Sequence, residues 1–245
     1  MSSKKPLIVA HRGAHTLAPE NTITAGKLAL QNGATALEVD VRLCATGEIV
    51  LFHDNFLWHH LRQLKPVIFT GLPELKELQF SLTAEQHSDS ICTLDEFLEE
   101  FKNTAPLNLD VKTFMTDYFT LADTLVKTVR RHNVTDQVWF SAFNPLFLLI
   151  LKRKYPDIRV GYLFRNMPYL HVQLDLMIRA EAWHAHYHLI NPAFLQKAKE
   201  RGKEVYVWTI NDAQTFRNML SYSFDGIITD ILIDPDVKKT VGSSR

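Results

Sequence analysis

The stretch that decides the fold is residues 106–154, PLNLDVKTFMTDYFTLADTLVKTVRRHNVTDQVWFSAFNPLFLLILKRK. Its apolar residues predict two strands, each followed by a helix: Pro106–Lys112, Asp117–His132, Gln137–Phe143 and Pro145–Lys154. In the first helix Leu121, Leu125 and Val129 recur at a four-residue step, which predicts one apolar face. Strands that are separated by helical crossovers form a parallel sheet, so this stretch predicts an α/β fold.

The same alternation continues in both directions along the chain. Further strands are predicted at Pro6–His11, at Ala36–Leu43 with a returning hairpin arm at Glu48–His53, and at Arg159–Phe164, Trp183–Leu189, Glu204–Ile210 and Asp225–Thr229. Further helices are predicted at Asn21–Asn32, Thr93–Lys102, Tyr169–Ala180, Asn191–Arg201 and Ala213–Leu220. Eight strands, each followed by a helix or a short remnant of one, in 245 residues predict one (β/α)8 TIM-barrel domain over residues 1–245, and an open doubly wound sheet is the alternative.

Residues 55–92 interrupt this alternation. They contain Pro66, Gly71 and Pro73, and they predict at most one short helix, around Glu74–Leu78. We therefore predict a small irregular insertion that follows the hairpin of the second strand. Long irregular segments in compact domains usually serve as lids or binding loops.

Composition excludes several classes of protein. Lys plus Arg and Asp plus Glu number 27 each, so the chain lacks the basic excess that is typical of nucleic-acid binding, and nucleic acid is not an expected partner. Cys44 and Cys92 have no CxxC spacing and predict two reduced, packed thiols. The longest apolar run, Leu146–Leu151, is far shorter than the roughly 18 residues that span a bilayer, so we expect a cytoplasmic protein without a membrane span. The sequence does not indicate the oligomeric state.

Acidic residues occupy the ends of two predicted strands that would be neighbours. Glu38 and Asp40 are one residue apart, so on a strand both side chains point to the same side. Asp110 lies at the end of the next barrel strand. Three carboxylates at one barrel mouth would repel each other, and a hard cation such as Mg²⁺ or Ca²⁺ would relieve that repulsion. The alternative is a set of solvated acidic residues paired with nearby Lys or Arg.

Basic and titratable residues end the same strands. His11 and His53 carry imidazoles that suit general acid–base catalysis near neutral pH. Arg12 and Lys112 suit the binding of a phosphate or another oxyanion, or else they form salt bridges to the acidic residues. A cation, two proton shuttles and two anion-binding groups together indicate hydrolysis of a phosphoester.

Several short motifs of the chain resemble those of the glycerophosphodiester phosphodiesterases. In order they are His11-Arg12-Gly13, Pro19-Glu20-Asn21-Thr22, Glu38-Val39-Asp40-Val41, His53-Asp54, Val207-Trp208-Thr209-Ile210-Asn211 and Asp225-Gly226-Ile227-Ile228-Thr229-Asp230. Their order and spacing cover essentially the whole chain. The resemblance implies a TIM barrel with an insertion after His53-Asp54. It also implies hydrolysis of glycerophosphodiesters, for example glycerophosphocholine or glycerophosphoethanolamine, to sn-glycerol 3-phosphate and an alcohol.

The same resemblance implies a role for each site residue and one divalent cation. The implied assignments are His11 and His53 as the acid–base pair, Glu38 and Asp40 as metal ligands with Asp110 as the third, Arg12 and Lys112 as phosphate-binding groups, and Trp208 as a wall of the substrate pocket. Glu20 and Asn21 would shape the loop after the first strand. Asn21 also has a simpler interpretation, as the cap of the following helix.

The chain departs from the family pattern at two places. Asp110-Val111-Lys112 stands where the family usually has Glu-x-Lys, and Asp at this place is similar to phospholipase D relatives. The insertion begins with Phe56, Leu57 and Trp58, which would either meet a lipid chain or pack on the barrel rim. A lysophospholipase D-like enzyme is therefore the alternative function, and a non-catalytic barrel that binds phosphometabolites is a weaker one.

Three histidines alternate on the strand predicted at Trp183–Leu189. His184, His186 and His188 would all lie on one face of that strand. His188, nearest the end of the strand, would then contact substrate or form part of a second metal site. The alternative is a set of buried or rim histidines with hydrogen-bond partners.

Overall fold

The computed structural model describes residues 5–58, 64–81, 88–219 and 221–231. In chain order the strands are β1 Leu7–His11, β2 Ala36–Leu43, β3 Ile49–Leu51, β4 Gln79–Ser81, β5 Ser88–Ser90, β6 Leu107–Val111, β7 Val138–Ala142, β8 Val160–Phe164, β9 Ala182–His186, β10 Glu204–Trp208 and β11 Gly226–Thr229. The described helices are α1 Ile23–Gln31, α2 Leu72–Lys76, α3 Leu94–Phe101, α4 Tyr118–Arg131, α5 Pro145–Lys154, α6 Pro168–Ile178, α7 Pro192–Glu200 and α8 Ala213–Met219.

Eight parallel strands close into a barrel. Their order is β1-β2-β6-β7-β8-β9-β10-β11, and β11 pairs with β1 through Leu7 and Gly226 to complete the ring. Helices connect the strands, so the predicted (β/α)8 barrel is confirmed and the open doubly wound sheet is wrong. β3 is the hairpin arm, antiparallel to β2, and β4 and β5 form a separate two-stranded sheet.

The strands carry two different sets of side chains on their two faces. Every residue of β2 is buried; Leu37, Val39 and Val41 belong to the large apolar cluster that also contains helix residues. Glu38 and Asp40 alternate with them and therefore face the other way, into the barrel. A capping box starts α3, because the Thr93 side chain accepts from Glu96 N while Glu96 accepts from Thr93 N. The cap of α3 and the burial pattern of β2 thus both agree with an outer layer of helices packed on the barrel.

The insertion is more ordered than the sequence suggests. We predicted at most one short helix, and α2 is that helix, but a hairpin of β4 and β5 and a 3₁₀ turn at Val67–Phe69 accompany it. These elements enclose a small apolar core of their own: Cys44, Val50, Phe52, Leu57, Val67, Leu75, Leu78 and Ile91. Leu57 is fully buried there, which agrees with the packing alternative rather than with contact to a lipid chain, whereas Trp58 is half exposed.

Large side chains fill the lower part of the barrel interior. Trp139 and Tyr206 pack with ring centroids 5.4 Å apart, and the His184 ring lies 4.9 Å from Tyr206. Nε1 of Trp139 donates to Nε2 of His184, whose burial lowers its pKa to about 3 and keeps the imidazole neutral. The backbone of Gly161 passes so close that a Cβ there would lie 2.4 Å from His184 Nε2. The site therefore rests on a packed interior rather than on an open pore.

The sixth barrel strand is shorter than predicted. β9 ends at His186, and a 3₁₀ turn, Tyr187–Leu189, takes up the rest of the segment. His188 therefore lies in the turn rather than on the strand, where it stacks on His186 at 4.7 Å. The predicted single face of three histidines is wrong, because only His184 and His186 belong to the strand.

Two simpler expectations concern the cysteines and the membrane. Cys44 and Cys92 are both buried and free, as predicted. None of the described helices is long and apolar enough to cross a bilayer.

Gly161→Ala should destabilise the barrel by about 1–3 kcal/mol, the usual cost of overpacking, because its methyl group would overlap the buried His184 ring. Urea denaturation followed by circular dichroism measures the change. In a His184→Ala background the ring is gone, so the same substitution should cost little. An equal cost in both backgrounds would contradict this packing argument.

Candidate active site

The predicted site residues meet at one end of the barrel. A cavity of about 450 Å³ opens at the carboxyl ends of the strands, and it is lined by His11, Arg12, Glu38, His53, Asp110, Lys112 and Trp208. The eighth predicted residue, Asp40, is fully buried and contacts Arg12 and Lys112. The cavity wall also includes Thr209 and Ile228, which belong to two of the quoted motifs. Five further lining residues were not predicted for the site: Asn108, Ser141, Phe143, Leu163 and Arg165.

Strand register brings the three carboxylates together. Asp40 on β2 lies directly beside Asp110 on β6, and Glu38 stands two residues before Asp40 on the same strand. Ligand oxygens of Glu38, Asp40 and Asp110 lie within 4.8 Å of one another, and all three residues are buried. One ion could therefore contact all three side chains.

Two permanent cations hold the ionised form of Asp40. Nζ of Lys112 lies 2.8 Å from Oδ1 of Asp40 and 2.5 Å from Oδ2 of Asp110. Nε of Arg12 lies 3.1 Å from Oδ2 of Asp40. Burial disfavours the charged carboxylate, but Lys112 and Arg12 outweigh it and hold the pKa of Asp40 well below its usual range.

The cluster still carries more negative than positive charge. Three carboxylates face two cations, and burial together with the charge of Asp40 raises the pKa of Glu38 to about 8. Burial also raises the pKa of Asp110. Oδ1 of Asp110 is buried and accepts no hydrogen bond from the described residues. A buried acceptor without a partner, in an all-oxygen donor set with excess negative charge, fits a hard divalent cation.

The loop after β1 is held to this cluster by backbone contacts. Arg12 and Gly13 adopt positive φ values of 59° and 77°, which turns the Arg12 N–H toward Oε2 of Glu38 at 2.8 Å. A Cβ at Gly13 would lie 2.7 Å from the Ala25 backbone, so glycine is required there. Nη1 of Arg12 also donates to Glu20 at 2.8 Å. The predicted role of Glu20 in shaping this loop thus has a contact that supports it.

Asn21 is not the cap of α1. Thr22 is the N-cap, since its side chain accepts from Ala25 N, and this corrects the helix start that we predicted at Asn21. Instead Asn21, at φ 60°, donates from Nδ2 to Oδ2 of Asp40 and accepts the Asp40 N–H at Oδ1, both at 2.9 Å. Asn21 therefore fixes the orientation of the Asp40 carboxylate.

His11 has a carboxylate partner that was not predicted from the sequence. Nδ1 of His11 donates to Oδ1 of Asp230 at 2.5 Å, and Nε2 of His15 lies 2.9 Å from the same oxygen. Asn211 holds Asp230 from the other side by a side-chain hydrogen bond and by accepting the Asp230 N–H. The signal was present in the sequence, because Asn211 and Asp230 end two quoted motifs, and barrel closure places them beside β1.

His53 is held through its backbone. Its carbonyl accepts from the Arg42 guanidinium, which also donates to the carbonyl of Phe52. Burial lowers the pKa of Arg42 to about 10. Nδ1 of His53 lies 2.9 Å from Oδ1 of Asp54, so both catalytic candidates have a carboxylate at Nδ1. The Asp54 contact is half exposed, whereas the His11–Asp230 pair is more shielded from solvent.

Trp208 forms an aromatic side of the cavity. Its Nε1 donates to the carbonyl of His184 at 2.9 Å, which fixes the indole plane. The Phe143 ring packs edge-on against it at 5.4 Å and His186 at 5.0 Å. The predicted pocket position of Trp208 is therefore observed, together with a neighbour, Phe143, that the sequence did not indicate.

Comparison with known proteins agrees with this arrangement. The profile of the Glycerophosphoryl diester phosphodiesterase family matches residues 11–233. A glycerophosphodiester phosphodiesterase of Caldanaerobacter subterraneus subsp. tengcongensis is 29% identical over 235 residues, which cover 95% of this chain and 96% of the relative.

Solved structures give the same result. A phosphodiesterase of Oleispira antarctica in complex with the product sn-glycerol-3-phosphate superposes with a TM-score of 0.83 at 27% identity, over 97% of each chain. A glycerophosphodiester phosphodiesterase of Thermotoga maritima superposes with a TM-score of 0.77 at 25% identity, over 96% of this chain and 99% of the other.

We expect the pKa of His11 to lie above that of an unperturbed histidine. Burial lowers it, but the charge of Glu38 and the hydrogen bond to Asp230 together outweigh burial. Asp230→Asn removes one of these charges, so the His11 pKa should fall in a titration followed by NMR. Asp54→Asn is the matched control and should leave His11 unchanged. No fall in the Asp230 variant would contradict the assigned pair.

Proposed function

The chain belongs to the glycerophosphoryl diester phosphodiesterase family and is a phosphodiester hydrolase, and from this premise we propose how it works. Its substrates are glycerophosphodiesters, and its products are sn-glycerol 3-phosphate and an alcohol. One divalent cation, Mg²⁺ or Ca²⁺, and two histidines take part. The observation that carries the proposal is a buried carboxylate trio, Glu38, Asp40 and Asp110, two members of which line one cavity together with two cations and two imidazoles.

Glu38, Asp40 and Asp110 would hold the cation. When bound, it supplies positive charge to the phosphate oxygens as charge develops in the transition state. Asp110 is shorter than the glutamate usual in the family, but its register beside Asp40 keeps its oxygens within the same 4.8 Å group. Asn21 maintains the Asp40 carboxylate in one orientation by two hydrogen bonds.

Arg12 and Lys112 bind the phosphate. Both side chains line the cavity and both are already held by acidic residues, so they are oriented before substrate arrives. The three carboxylates carry three negative charges, and Arg12, Lys112 and one divalent ion carry four positive charges. The site with its ion bound would therefore have a single net positive charge. A phosphodiester carries a single negative charge, so the substrate completes the charge balance of the site.

His11 and His53 transfer the protons. The Nδ1–H group of His11 donates a hydrogen bond to Asp230, so Nε2 is the nitrogen that is free to deprotonate the attacking oxygen. His53 protonates the leaving alkoxide from the same cavity. The attacking oxygen belongs either to water or to the substrate's own glycerol hydroxyl; in the second case a cyclic phosphate forms first and is then opened by water.

The product-bound relative supports the choice of substrate. The Oleispira antarctica phosphodiesterase binds sn-glycerol-3-phosphate on a fold that matches this chain almost end to end. Trp208 and Phe143 would pack against the carbon atoms of the glycerol in the corresponding cavity. With the glycerol against Trp208 and Phe143, the alcohol portion of the substrate would lie on the side of His53.

The direct test uses purified protein with glycerophosphocholine, with glycerophosphoethanolamine and with lysophosphatidylcholine. Each substrate is incubated with Mg²⁺, with Ca²⁺ and with EDTA. We expect sn-glycerol 3-phosphate from the first two substrates, and none in EDTA. Lysophosphatidic acid, or its cyclic form, from lysophosphatidylcholine alone would instead support the lysophospholipase D alternative. Binding of sn-glycerol 3-phosphate without turnover of any substrate would support the non-catalytic barrel.

His53→Ala should lower kcat by roughly 10²–10⁴-fold, the usual contribution of one general acid or base. The measurement is steady-state release of sn-glycerol 3-phosphate at saturating metal. His132→Gln is the control, because His132 ends α4 and pairs with Asp95, outside the cavity. Near-normal turnover in the His53 variant would contradict its role.

Cation affinity should rise with pH. The pKa of Glu38 is about 8 in the metal-free protein, so at pH 6.5 a cation must displace its proton, whereas at pH 9 it need not. Isothermal titration with Mg²⁺ in buffers of different ionisation enthalpy should show proton release at the lower pH. Glu38→Gln should bind more weakly and lose most of the pH dependence. Affinity that is independent of pH in the wild type would be the contrary result.

A further inference from the structure

Arg42 is a buried cation whose partners are not acidic. Its side chain is only 7% exposed, and its guanidinium donates to the backbone carbonyls of Phe52 and His53. Asp40, Asp54 and Asp110 act on it through space, without a hydrogen bond to it. A guanidinium has five N–H donors, and buried charges in proteins are usually paired with an opposite charge. Arg42 therefore retains donors and positive charge for a further partner.

An open groove of about 560 Å³ lies against Arg42. Lys112 and Phe143 line both this groove and the active-site cavity, so the two spaces adjoin each other at these side chains. The described residues that line the groove include no Asp or Glu. Asn55 supplies an amide to its wall, and Phe114 supplies an aromatic ring.

The first turn of α5 adds positive potential to the same groove. Asn144 and Pro145 line it, and they are the N-cap and the first residue of a ten-residue helix. The N-terminus of a helix carries a partial positive charge and attracts anions. Arg42, Lys112 and this helix end approach the groove from three different elements. Lys112 shares its charge with Asp40 and Asp110, so Arg42 and the helix end supply most of the positive potential.

The groove lies on the leaving-group side of the proposed reaction. Lys112, which we assign to the phosphate, forms part of its wall. Arg42 holds the backbone of His53, the residue that we assign to protonation of the leaving alkoxide. A substituent that extends from the phosphate past His53 would therefore enter this groove.

We propose that the groove between Arg42, Lys112 and the first turn of α5 binds the alcohol portion of the substrate and selects alcohols that carry a second anionic group, a phosphate or a carboxylate. The inference rests on the proposed function, because it assigns the groove to the leaving group of that reaction. A quaternary ammonium such as choline would face the like charge of Arg42 there, and the described residues that line the groove offer it no carboxylate.

The test uses two substrates that differ by one phosphate. They are sn-glycero-3-phosphoinositol and the same compound phosphorylated at position 4 of the inositol ring. We expect kcat/KM to be roughly tenfold higher for the phosphorylated substrate, the effect of one added hydrogen bond to a charged group. Asn55→Asp adds a negative charge to the groove wall and should abolish that preference. Asn55→Ser removes the amide without adding charge and should largely keep it.

A second variant separates the groove from the support of His53. Arg42→Gln should lower turnover of both substrates, because the contact with the His53 carbonyl weakens. It should also lower the ratio of kcat/KM for the phosphorylated substrate to kcat/KM for the unphosphorylated one. Binding of both compounds to the His53→Ala protein, measured by calorimetry, gives the same comparison without turnover. Equal kcat/KM values and equal binding in the wild-type groove would overturn the inference. Hydrolysis of neither substrate, with the binding preference intact, would instead contradict the proposed function.

Discussion

The burial of three carboxylates at one end of the barrel is the constraint on which the site depends. Glu38, Asp40 and Asp110 lie on adjacent strands, and their mutual repulsion is only partly offset by Arg12 and Lys112. The raised pKa of Glu38 is the direct consequence of that imbalance. A fold that buries such a cluster loses stability unless something compensates. In the proposed function a bound cation and an anionic substrate would supply the compensation, so the arrangement that costs stability would favour their binding.

Barrel closure determines which residues support that cluster. His11 and Asp230 are 219 positions apart in the sequence, yet they form a hydrogen bond because β1 and β11 are neighbours in the ring. Asn211, at the end of β10, holds Asp230 from the adjacent position. The His11–Asp230 hydrogen bond therefore exists only in the closed barrel.

The sequence predicts those parts of the molecule that are encoded locally. α5 begins at Pro145 and ends at Lys154 as expected, because Asn144 caps it and proline suits its first turn. The contacts that it does not predict are set by strand register and by backbone conformation. Asn21 reads as a helix cap, but a positive φ directs its amide to Asp40 instead. The hairpin of the insertion escaped prediction because residues 79–81 and 88–90 contain a single apolar side chain, that of Phe80.

The measurement that tests this account most directly is anomalous diffraction from crystals soaked in Mn²⁺, a cation that also prefers oxygen ligands. The account predicts one strong peak at roughly 2.0–2.6 Å from oxygens of Glu38, Asp40 and Asp110, a range typical of hard cations. The His11, His15 and Asp230 side chains form another group whose ligand atoms lie within 4.8 Å of one another. A peak at that group alone, or no peak at the carboxylates, would contradict the central claim.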